Sequence, residues 1–147
     1  FKKYIIKKKD LFEFNVDRKI DDVMQSTLSL IGTPYKWGGK SGFGCDCSGL
    51  TQIIFKMMNI EIPRDSNEQI NFDNFIETKS SKMGDLIFFS ENNEINHVGL
   101  FINNDEFIHA SGKVKINSIN SKNINFNIKL NKMIHCFYRY EGKTACQ

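Results

Sequence analysis

The chain has 147 residues, 25% charged and 40% hydrophobic, which fits one folded domain that can bury a core without disulfide or metal staples. Its net charge of +3 comes largely from Lys2, Lys3, Lys7, Lys8 and Lys9 and from lysines after residue 112; this is too mild and dispersed to mark a nucleic-acid binder and suits an anionic polymer equally well. No run of about 18 apolar residues occurs, which excludes a membrane-spanning helix.

Residues 1–14 alternate apolar and charged groups in two bursts, as a hairpin or arm does. The chain opens on Phe1 with no apolar signal segment behind it, so it reads as a fragment or processed form. Residues 1–16 are expected to be an arm or the remnant of an upstream domain, and 17–147 the folded domain. From Asp17, residues Ile20, Val23, Met24, Leu28 and Ile31 recur at helical spacing until Gly32 and Pro34 stop them. Asp46 is an N-cap for a second helix, since Leu50, Ile53, Ile54, Met57 and Met58 form one apolar stripe and Asn59 can end it. Cys47 then lies in the first turn. Ser66 and Gln69 have capping-box spacing and predict a third helix running to about Thr78.

From Asp85 onward the texture is β. "DLIFFS", "HVGLFI", "EFIHAS", "KVKINSI" and "MIHCFYRY" are rich in strand formers, with Asn, Asp, Gly and Ser between them. Helices first and strands after predict an α+β domain with N-terminal helices packed on a C-terminal antiparallel sheet.

The four cysteines, Cys45, Cys47, Cys136 and Cys146, are spaced too unevenly for a disulfide framework. Cys136 reads as a small buried hydrophobe and Cys146 as a loose terminal residue. Zinc would need Cys45, Cys47, His135 and Cys136, but neither C-x-C nor an adjacent His-Cys has the usual ligand spacing, and strand alternation turns His135 and Cys136 to opposite faces. No metal or other cofactor is therefore assigned. A nucleophile accounts for more. Helix N-termini lower thiol pKa values and offer N–H groups to a developing oxyanion, and Cys47 sits at one. Asp46 works against this if its carboxylate points inward, so it needs another role.

A cysteine nucleophile requires a base. His97 and His109 lie on consecutive predicted strands separated by "NNDE". Only an odd-length loop, such as a three-residue turn at Asn103 to Asp105 with a bulge, puts both on one face; an even loop separates them. With the odd loop His109 stands opposite Gly99, and its ring can lean toward His97 and orient it. Cys47, His97 and His109 then hold the nucleophile, base and orienter roles.

"GTPYKWGG", "DCSGLTQ", "IPRDSNEQ", "GDLIFF", "NHVGLFI" and "FIHAS", in this order over about residues 18 to 118, resemble the NlpC-type cell-wall cysteine peptidases. The resemblance implies a papain-like fold and a cofactor-free endopeptidase. Its substrate would be peptidoglycan stem peptides, cut commonly between D-glutamate and the following diamino acid, at a secreted, periplasmic or wall-associated location. Cys47 matches the nucleophile, His97 the base and His109 the polar third residue. Tyr35 matches a tyrosine near the nucleophile. Trp37, Asp46, Ser48 and Ser66 match substrate-binding positions, against simpler roles for Trp37 in the core, Ser48 at a helix start and Ser66 as an N-cap. Cys45 is not required by the motif; it either sits buried or forms a strained disulfide with Cys47. The same scaffold also serves cysteine amidases, acyltransferases and non-catalytic wall-binding domains.

Overall fold

A computed structural model describes residues 18–142; the predicted arm at residues 1–16 and Cys146 lie outside them. In chain order the elements are α1 (Ile20–Leu28), β1 (Lys40–Ser41), β2 (Gly44–Cys45), α2 (Cys47–Met57), α3 (Ser66–Gln69), β3 (Phe75–Thr78), β4 (Leu86–Glu91), β5 (Glu94–Phe101), β6 (Glu106–Ser111), β7 (Lys113–Ser118), α4 (Ile128–Met133) and β8 (Ile134–Tyr140). The larger sheet has the order β3-β8-β4-β5-β6-β7, and every pairing in it is antiparallel. The α+β architecture expected from the sequence is present.

Strand alternation sorts this sheet into two faces. Leu86, Phe88, Val98, Leu100, Ile108 and Ala110 pack with Leu50, Ile54 and Phe55 of α2. Ile87, Phe89, Phe101 and Phe107 form a second cluster, against which Leu130 and Met133 of α4 pack. Full burial of side chains such as Leu50 and Ile54 contributes about 1.5–3 kcal/mol each, so α2 is anchored by its apolar stripe. Its start is set by the Asp46 carboxylate, which accepts from the Gly49 N–H at 2.7 Å. Its end is set by Asn59, at φ 63°.

The third helix departs from expectation at both ends. Its N-cap is Asp65 rather than Ser66, and Glu68 rather than Gln69 reaches back, accepting from the Asp65 N–H at 3.3 Å. It stops at Gln69 instead of running to about Thr78. The Gln69 side chain is pinned in the interior, donating to Pro63 O at 2.9 Å and accepting from Thr51 Oγ1 at 2.9 Å. Beyond it, Phe75–Thr78 is drawn into β3 by pairing with β8 from the far end of the domain. Phe75 meets Phe55, Phe72 and Tyr140 edge-on.

The β5–β6 register settles the histidine question. Leu100 pairs with Ile108 and Phe101 with Phe107, the odd-loop alternative, which places Gly99 opposite His109. A Cβ at Gly99 would stand 2.9 Å from the Phe107 ring and 3.3 Å from His109 Cβ, so glycine makes the room the His109 ring uses.

Candidate active site

Two groups of polar residues adjoin β5. The first lies in a cleft of about 640 Å³ at the start of α2, where the predicted residues Tyr35, Trp37, Asp46, Cys47, Ser48 and Ser66 all contribute to the wall. Close backbone contact builds this corner. The Asp46 N–H donates to Gly39 O at 3.2 Å, and a Cβ on Gly39 would lie 2.5 Å from Gly44 O, which accounts for the "WGG" glycine. Trp37 is 86% exposed at the rim, not in the core. Ser66 is the first residue of α3 and not its cap.

Cys47 is 8% exposed and free. The N–H groups of Val98, Ser48 and Cys47 itself donate toward its sulfur and favour the thiolate, but burial outweighs them and the Asp46 charge adds to it, so the thiol stays above its ordinary value. The acidified thiol expected from the helix terminus is therefore not found; desolvation exceeds what the first-turn N–H groups return. Tyr35 is likewise pushed up by burial and by the neighbouring Cys47 and Asp46, which keeps its phenol a donor. Cys45 is fully buried and free, and burial raises its thiol to about 11.

Asp46 has the additional role that its position demands. Arg64 donates from Nη1 to Asp46 Oδ1 at 3.0 Å and from Nη2 to Oδ2 at 2.5 Å, and the Gly38 N–H reaches Oδ2 at 2.8 Å. Burial alone would raise this carboxyl, but the bonds from Arg64, Gly49 and Gly38 outweigh it and hold Asp46 below its ordinary value. Arg64 also donates to Ser48 Oγ at 2.8 Å, tying the residue after the nucleophile into the same lattice. Sequence pattern does not single out Arg64, although it stands two residues before Ser66 in "IPRDSNEQ". Asp65, Asn67, Ile95 and Asn96 line the cleft as well, and none of them is marked by the sequence.

The second group is the histidine pair. His97 Nε2 and His109 Nδ1 are 2.8 Å apart, with ring planes at 81°. The rings pack against Phe89 and Phe107 on the second face of the sheet. Burial, followed by the charges of His109 and Lys115, pushes His97 down to about 3; burial and Lys115 take His109 down to about 4 against a hydrogen bond to Asn117 that opposes them. Both imidazoles are neutral at pH 7. The two groups are linked through the chain itself, since Ile95 and Asn96 line the cleft and His97 follows them on β5.

The other metal-ligand candidates lie elsewhere. His135 is exposed on β8, and Cys136, opposite Phe88, packs toward the α2 side of the core. Among the described residues no group of three or more His, Cys, Asp or Glu stands together as a metal site. No described helix is long and apolar enough to cross a membrane.

The profile of the NlpC/P60 family matches residues 32–131. A γ-D-glutamyl-L-lysine dipeptidyl-peptidase of Bacillus subtilis is 39% identical over 93 residues, 61% of this chain and 31% of that protein. The chain thus spans about a third of that relative's length. An NlpC/P60 family protein of Bacillus cereus superposes with a TM-score of 0.74 at 31% identity, covering 86% of this chain and 42% of the other. The peptidoglycan hydrolase RipB of Mycobacterium tuberculosis does so with a TM-score of 0.63 at 29% identity, covering 81% and 62%. A profile match across most of the described residues, with the same fold in both solved structures, establishes that the chain belongs to the NlpC/P60 family.

Proposed function

We propose that this domain is a cysteine endopeptidase that hydrolyses the bond between D-glutamate and the following diamino acid in peptidoglycan stem peptides. The observation that carries the proposal is that β5, whose Ile95 and Asn96 line the cleft holding Cys47, also carries His97 hydrogen-bonded to His109. Membership of the NlpC/P60 family and the dipeptidyl-peptidase relative support the choice of bond. Peptidoglycan as substrate puts the place of action at the cell wall.

In the proposed reaction the Cys47 thiol attacks the scissile carbonyl carbon as its proton passes to His97, both groups starting neutral because burial disfavours their charged forms. The tetrahedral oxyanion is met by first-turn N–H groups of α2 and by the Tyr35 phenol. Collapse breaks the C–N bond, His97 returns the proton to the leaving amine, and a thioester remains on Cys47. Water then adds to that thioester with His97 taking its proton; collapse breaks the C–S bond, the acyl group leaves as a carboxylic acid that ionises, and His97 returns the proton to the Cys47 sulfur. Trp37, Ser48 and Ser66 line the cleft for the peptide, while Asp46 holds Arg64 and Ser48 in place.

Digestion of purified muropeptides, followed by mass spectrometry beside a Cys47→Ala control, tests this. Cleavage after D-glutamate by the parent and none by the variant is expected. Cleavage of a different amide would indicate an amidase, activity in Cys47→Ala would remove the nucleophile, and binding without cleavage would indicate a wall-binding domain.

A further inference from the structure

Both ring nitrogens of the fully buried His109 are occupied. Nδ1 faces His97 Nε2 at 2.8 Å, and Nε2 faces Asn117 Oδ1 at 2.8 Å. Asn117 lies on β7, opposite Phe107 and diagonal to His109 in the β6–β7 register. Its amide orientation is decided by its other end, where Nδ2 donates to the Asn125 carbonyl at 2.8 Å. A carbonyl only accepts, so the amide cannot be flipped, and its oxygen must face His109.

The consequence runs through two rings. An oxygen acceptor at His109 Nε2 requires the hydrogen on that nitrogen, and a neutral imidazole has only one, so Nδ1 carries a lone pair. His97 Nε2 must then be the donor between the rings. The remaining nitrogen of His97, Nδ1, is unprotonated and is the one able to receive a proton.

We propose that Asn117 is a positioning residue for the reaction, a fourth member of the relay that sets the tautomer of both histidines and leaves His97 Nδ1 open as the base. The proposal rests on the assignment of Cys47 and His97 made above. Support for Asn117 reaches further along the loop that follows β7. The Asn125 carbonyl also accepts from the Ser118 N–H at 3.0 Å, and the Asn125 side chain donates to Glu106 Oε1 at 2.9 Å. Glu106 is held in turn by Asn123 at 3.2 Å and Asn103 at 2.9 Å. The loop thus fixes the carbonyl that fixes the amide. Burial and the Lys115 charge keep both rings neutral, the condition under which a single acceptor can dictate two tautomers.

The test labels histidine with 15N and reads ring tautomers by long-range proton–nitrogen correlation near neutral pH, in the parent, Asn117→Leu and Asn117→Asp. Both His97 and His109 should be Nε2–H tautomers in the parent. Asn117→Leu should release that preference and lower kcat roughly 30-fold with KM within about twofold, as for loss of a residue that orients a base. Asn117→Asp keeps an acceptor toward His109 but gives up the donor to Asn125. It should therefore melt earlier yet retain both tautomers and kcat within about fivefold. A parent His109 protonated on Nδ1, or Asn117→Leu with parental tautomers and kcat, would overturn the proposal. A Cys47→Ala control in the same assay separates the two levels. If that control stays active, the peptidase assignment fails; if it is dead while the tautomers ignore Asn117→Leu, only the role of Asn117 fails.

Discussion

Replacing Arg64 with methionine removes the guanidinium while keeping much of its stem, and so isolates the ion pair beneath the cleft. The Asp46 side chain is 8% exposed and that of Arg64 28%. Truncating one partner of a fully buried pair costs about 3–5 kcal/mol. Here Asp46 keeps the Gly38 and Gly49 N–H bonds and Arg64 is partly wet, which scales the expected loss to about 2 kcal/mol, or about 8 °C in Tm for a domain of this size. Asp46→Asn keeps an N-cap oxygen and leaves Arg64 able to reach water, so it should cost only about 1 kcal/mol. Urea unfolding of the two single variants and the double variant completes a cycle, in which the double should fall short of the sum by about 1 kcal/mol. The pH dependence follows from Asp46 being held low in the folded state. Such a group contributes its stability fully above the unfolded carboxylate value, near about 3.9, and loses it as pH falls through the lower folded value. In Arg64→Met the carboxyl is left with burial and moves up, so the deficit should be largest at neutral pH and shrink as acid protonates Asp46. Additive single costs, or a deficit equal at neutral pH and in acid, would refute the assignment of Arg64 as the partner that offsets a buried charge.

The histidines should rank by the part each plays. In a stem-peptide assay His97→Ala falls to the level of Cys47→Ala, His109→Ala keeps measurable turnover, and exposed His135→Ala keeps nearly all of it. A His135→Ala variant as damaged as His97→Ala, while still folded, would contradict the site. Because burial holds the Cys47 thiol up, alkylation mapped by peptide mass should be slow at mildly acidic pH and rise through the alkaline range; preferential labelling of Cys47 in mild acid would show a thiolate that the N–H groups alone sustain. His97 and His109 fold with values near 3 and 4, below the ordinary 6.5, so the unfolded chain binds more protons between those limits. Their contribution is present above the unfolded value and is lost as pH falls toward the folded ones, by up to about 1.4 kcal/mol per pH unit for each ring. Denaturation midpoints at pH 7 and 5 should show this loss, and His109→Leu should flatten it.

Local chemistry makes much of this protein legible before folding is considered. The stripe from Leu50 to Met58 sets α2, Asp46 caps it, and the residues between β5 and β6 allow only a few loop lengths, one of which brings His97 and His109 together across Gly99. These features depend on neighbours in the chain, so spacing and residue type carry them. What depends on residues far apart cannot be read the same way. Local spacing overextends α3 because β3 exists only through pairing with β8, a strand some 60 positions later, and the helix-like spacing of that segment gives way to the ladder. Arg64 becomes visible only when the 18 positions separating it from Asp46 close into an ion pair. The same holds for Asn117, whose place in the relay depends on the β6–β7 register and on the Asn125 carbonyl. Thiol acidity reverses for a related reason. A helix N-terminus is a property of sequence, whereas the desolvation that outweighs it at Cys47 is created by the sheet and loops closing over the sulfur, and only the tertiary structure decides how much water they exclude.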